Sequence, residues 1–134
     1  MDQRINRFKL CDLRFIPFIE RVIERLPGNV KDLVLSDMTF QILTDDEMLE
    51  APVLRYEFSA PVRTLVYLNT KVLKEPDHQI IHTIAYEIAH YVLKHEKIHV
   101  SERKVNDLLM KWGFYKEIEA SRLRRKNKAE VTGR

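Results

Sequence analysis

Residues 84–99, IAYEIAHYVLKHEKIH, carry the residue types and spacing that metal chemistry needs. In the pattern His-Glu-x-x-His, positions i and i+4 share one face of a helix, so two imidazoles can meet one zinc ion. The glutamate at i+1 points about 100° away and is placed to hold a metal-bound water as general base. The segment contains the pattern twice, once literally and once with a substitution. The literal copy is His95-Glu96-Lys97-Ile98-His99, at the charged end of an apolar helix. Ser101, a helix N-cap candidate four residues after Lys97, implies a chain break close by, so His95 and His99 need not share a helix. The substituted copy is Tyr86-Glu87-Ile88-Ala89-His90, with tyrosine where the first histidine belongs. Its surroundings are apolar, and glutamate and histidine three apart in such a helix are costly unless they have partners. On residue chemistry alone, Glu87 and His90 read first as a buried hydrogen-bonded pair. A further pair, His78 and His82, has i, i+4 spacing but reads as a solvated first turn.

The elements that must position these residues follow from periodicity. Ile80, Ile81, Ile84, Ala85, Ile88, Ala89, Val92 and Leu93 recur every three or four residues from Pro76 onward and predict the strongest helix of the chain, buried along one side. A last helix is expected from Ser101, with Val105, Leu108, Leu109 and Trp112 facing the core and Gly113 ending it. Near the N-terminus, Phe15, Ile16, Ile19, Val22, Ile23 and Leu26 give a helix with Pro17 in its first turn, ended by Gly28. Residues 33–43, LVLSDMTFQIL, read as extended structure, and 45–52 as a polar loop or single turn. VLRYEFSA and VRTLVYLN read as two strands joined by a turn at Pro61. The expected class is α+β, with helices against one face of a small antiparallel or mixed sheet.

The run VYLNTKVLKEPDHQIIHTIAYEIAHYVLKH, followed by SERKVNDLLMKWGF, resembles the minimal gluzincin-type (zincin-like) metallopeptidases of bacteria, archaea and phage. The resemblance covers residues 63–115, in the order strand, helix, second helix. It implies a zincin-like single domain over 1–121: an N-terminal helix, a 3–4-stranded mostly antiparallel sheet, an active-site helix and a C-terminal helix. It also implies roles. Glu87 matches the general base, His90 the second zinc histidine, and Glu102 the third ligand, supplied by the following helix. Tyr86 takes the place of the missing first histidine, and Val105 and Asn106 stand where the family has Ala-Asp. A phenol titrates near pH 10, so Tyr86 would ligate zinc only with that value lowered by several units. The function implied is a metallopeptidase homologue, an enzyme if the Tyr86 site still holds zinc. The alternative is a non-catalytic zincin-like module that binds a peptide or protein. An extended peptide is expected to add along the strand RTLVYLN as an edge.

Composition bounds these readings. The chain has 134 residues, 45% apolar and 32% charged, which suits one globular domain. It shows no apolar run long enough to span a bilayer and no secretory signal, and it has one cysteine, Cys11. A cytoplasmic setting without membrane partners is expected. The net charge of +3 is unevenly spread: residues 122–134 hold six basic residues and one acidic one, and the rest of the chain is close to neutral. This segment reads as a basic, solvated, flexible tail; contact with nucleic acid is the sharper alternative.

Overall fold

A computed structural model of the chain describes residues 3–47 and 50–132, the side chains of 124 and 126–132 excepted. It divides into two compact units, Met1–Glu75 and Pro76–Arg134.

The first unit opens with two 3-10 turns, Gln3–Phe8 and Leu13–Phe15, and continues into α1, Ile16–Glu24. Pro17 sits in the first turn of α1, where its missing N–H removes no helical bond, and Ile19, Val22 and Ile23 are buried. Gly28 does not close this helix. It begins a second one, α2, Gly28–Ser36, which takes in residues 33–36 that the sequence suggests as extended. The apolar run Val34-Leu35 fits either period, and the flanking residues decide: Val30 continues a three-to-four spacing with it, so all three bury one helix face.

Three strands follow: β1, Phe40–Thr44, β2, Val53–Ser59, and β3, Val62–Leu68. The spatial order is β1-β3-β2. β1 runs parallel to β3 with Phe40 opposite Thr64, and β2 runs antiparallel to β3 with Val53 opposite Leu68. The sheet is therefore mixed, with one pair of each kind, rather than mostly antiparallel. A two-residue turn at Ala60-Pro61 joins β2 to β3, and that peptide bond is cis. Because paired residues share a face, Phe40, Ile42, Thr64, Val66 and Leu68 lie on one side of the sheet, all five buried, together with the less buried Val53, Arg55, Glu57 and Ser59 of β2. Leu43, Leu54, Tyr56, Phe58, Leu65 and Tyr67 lie on the other side, where Tyr56 and Tyr67 meet edge to face at 5.7 Å. The strand 62–68, expected at an edge, is the central one, and the edges are β1 and β2.

Arg7 ties the unit together. Its guanidinium donates to the carbonyl of Val34 at 2.9 Å, of Asp37 at 2.7 Å, and of Phe40, and it stacks over the Phe8 ring at 4.5 Å. One cation thereby fixes the end of α2 and the start of β1.

The second unit is helical. α3, Asp77–His95, follows the N-cap residue Pro76, and Asp77 lies in its first turn, where a carboxylate complements the helix dipole. All eight apolar residues named from periodicity are buried, joined by Tyr91 and Glu87. α4, Glu102–Lys111, is capped by Ser101, whose hydroxyl accepts the Lys104 N–H at 3.2 Å. Val105, Leu109 and Trp112 are buried, while Leu108 is half-buried. A further helix, α5, Tyr115–Thr132, packs on both α3 and α4. It extends through residues 122–132, which the sequence suggests as a flexible tail; Gly133 and Arg134 lie outside the described residues. Ile118 and Ser121 are buried, and the Ser121 hydroxyl donates to Gln79 of α3 at 2.7 Å.

Both α3 and α4 end in the same backbone motif. At α3, Lys97 N–H bonds the Lys94 carbonyl at 3.0 Å and Ile98 N–H bonds that of Leu93 at 2.9 Å. At α4, Gly113 and Phe114 make the same bonds to Met110 and Leu109, at 3.0 and 2.9 Å. This is the Schellman arrangement, whose first residue past the cap is left-handed. Gly113 takes φ 91° and Lys97 takes φ 60°.

Candidate functional site

The two copies of the His-Glu-x-x-His pattern part company in the structure. His95 is the last residue of α3, Glu96 is its C-cap, and Lys97 turns the chain into left-handed backbone. His95 and His99 are both exposed and share no helix. The literal copy thus lacks the common face on which zinc binding at i and i+4 depends. The substituted copy lies wholly within α3, so Tyr86 and His90 share a face, with Glu87 beside them. Glu87 is 5% exposed; Tyr86 and His90 are half-buried.

Glu102 is the first residue of α4, held there by the Ser101 cap. Its side chain is 66% exposed, and its carboxylate lies 3.8 Å from the Arg125 guanidinium of α5. Among the described residues, no group of three or more His, Cys, Asp or Glu side chains is close enough to hold a metal ion. Glu87, His90 and Glu102 are therefore not gathered into one cluster.

The side of α3 that bears Tyr86 is instead lined by ring and charge contacts. The His82 and Tyr86 rings lie 6.1 Å apart at 56°. Burial pushes the His82 imidazole below its usual pKa; Arg125 and His78 act in the same direction, and the buried carboxylate of Glu117 acts against them. A cation, Arg125, thus sits near both His82 and Glu102. Tyr91 and His95 make a similar ring contact in the last turns of α3, at 5.9 Å.

Sequence reasoning missed α5 and with it Arg125, Glu117 and Ser121. A signal was present. Residues 115–132 contain neither Gly nor Pro and are rich in Glu, Lys, Arg and Ala, all strong helix formers. Its apolar residues are too few to show a helical period, so its charge dominates the reading. No family model, curated protein or solved structure matches the chain.

Proposed function

We propose that the chain is a zincin-like metallopeptidase homologue with a dismantled metal site, acting as a non-catalytic module that binds an extended protein segment. The donor set carries this reading. The first ligand position holds the phenol of Tyr86, and the third candidate, Glu102, is largely exposed with an arginine at 3.8 Å. That leaves one imidazole, His90, as a good zinc ligand, and one imidazole does not make a structural or catalytic zinc site. These residues do not fit zinc, and they support no metal-assisted hydrolytic step. Binding would use the outer edge of β2, by adding a strand.

The test is zinc retention measured by equilibrium dialysis, for the natural chain and for Tyr86→His. The natural chain is expected to retain well below one equivalent, and Tyr86→His to retain more. Stoichiometric zinc in the natural chain, with peptide hydrolysis lost in Glu87→Gln, would establish the catalytic alternative instead. Tyr86→His that gains no zinc would remove the zincin relationship itself.

A further inference from the structure

We infer that the natural occupant of the β2 edge is the β2 strand of a second copy of this chain, paired antiparallel across a two-fold axis through Tyr56. The inference names the extended segment that this edge takes; it rests on the proposed use of the β2 edge for strand addition and not on the zinc chemistry of α3.

Three observations carry it. The first is an open edge. β2 has a strand partner on one side only among the described residues, is seven residues long, contains no proline, and pairs with β3 without a bulge. Edges of this kind pair with other chains unless something blocks them. The second is exposed apolar surface on that edge: Tyr56 and Phe58 are each 48% exposed.

The third is self-complementarity. Asn69 N–H bonds the Pro52 carbonyl at 3.0 Å, continuing the ladder that pairs Val53 with Leu68. Hydrogen-bonded pairs alternate along an antiparallel ladder, so the backbone groups of Leu54, Tyr56 and Phe58 point to β3. Those of Val53, Arg55, Glu57 and Ser59 point outward. A two-fold through Tyr56 sets Arg55 opposite Glu57 of the second copy, twice, and Val53 opposite Ser59, all with outward-pointing backbone. On the other face it sets Leu54 opposite Phe58, twice, and Tyr56 against its own copy at the close spacing of a non-hydrogen-bonded pair. The two neighbouring registers with the same backbone match are a two-fold through Arg55 and one through Glu57. The first places arginine on arginine and the second glutamate on glutamate, so charge selects the register through Tyr56. Arg55 and Glu57 also have partners within their own chain, and the interface pairs extend those contacts.

Such a contact joins two three-stranded sheets into one of six strands and is small, so it associates reversibly. Sedimentation velocity from about 1 to 100 µM is expected to show the weight-average mass rising toward twice the monomer's. Arg55→Glu places glutamate on glutamate across the axis and Glu57→Arg places arginine on arginine, and each should weaken dimerisation about tenfold or more. Mixing these two variants restores both opposite-charge pairs, so the mixture should dimerise although neither variant does so alone. Circular dichroism checks that each variant is folded. If Arg55→Glu fails to fold, Glu57→Arg and Tyr56→Asp carry the test, and both should be folded monomers. A natural chain monomeric across the range overturns the proposal, as do single variants that dimerise like it. Recovery without mixing would place the interface elsewhere. A monomer that binds an extended synthetic peptide through β2 assigns the edge to peptides instead, whatever the zinc measurements give.

Discussion

Replacing Lys97 by glycine should stabilise the helical unit, although the change deletes a whole side chain. Lys97 holds φ 60° to complete the backbone motif that ends α3. For an L-residue, left-handed backbone costs about 1–2 kcal/mol, because Cβ crowds the following carbonyl. Glycine escapes that cost but gives up about 0.5–1 kcal/mol through its greater freedom in the unfolded chain. Lys97 is exposed, so no buried contact is lost. The net expectation is a gain of about 0.5–1 kcal/mol. α4 supplies an internal control: Gly113 occupies the same motif position at φ 91°, with nothing near its Cβ direction. Gly113→Ala meets no steric clash but takes on the left-handed cost, so it should lose about 1 kcal/mol. Trp112, the one tryptophan of the chain, is buried at the end of α4 and reports this unit by fluorescence. In urea unfolding, the two substitutions should move the midpoint in opposite directions by roughly half a molar, with unchanged slope. A lower midpoint for Lys97→Gly would refute the account of this helix end.

Other expectations concern different parts of the molecule. Arg7→Met removes charged hydrogen bonds to three carbonyls and should destabilise the first unit by about 3 kcal/mol, read from the unfolding of the strand signal in circular dichroism. His82 has a lowered pKa in the folded state, so the unfolded chain binds the proton first; stability should be complete above the ordinary value of 6.5 and decline as pH falls below it. His82→Gln should flatten that decline, and an equal pH dependence in both proteins would assign it elsewhere. Asp12 caps the turn Leu13–Phe15 and pairs with Arg14 at 2.7 Å, so hydrogen bonding to Arg14 holds its carboxyl at about 2; carbon-detected NMR should find it titrating below every unpaired aspartate.

How far the sequence reveals the fold depends on the signal each element carries. α3 was legible because eight apolar residues keep a helical period over its length, and the Ser101 cap and Gly113 stop of α4 are local chemistry that needs no tertiary context. α2 was not, because Val34 and Leu35 fit both periods and only packing separates them. The strands were legible from their β-branched and aromatic content, but their order was not. Nothing local in VRTLVYL shows that β1 pairs with it in parallel across residues 45–61. In the candidate site, the positions of Tyr86, Glu87 and His90 on one helix could be read directly. The surroundings of Glu102 could not, since Arg125 reaches it from a helix whose composition reads as a solvated tail.

The central place of β3 has a kinetic consequence. β2 and β3 are joined by two residues, so their pairing closes a very short loop and needs no other element. β1 can pair only with a β3 that already exists, and residues 45–61 must be looped out first, with the entropy that closure costs. The refolding of the first unit should therefore proceed hairpin first, with the parallel seam formed late and lost early. Amide exchange would record that sequence as slow exchange where β3 faces β2, and faster exchange at the seam with β1.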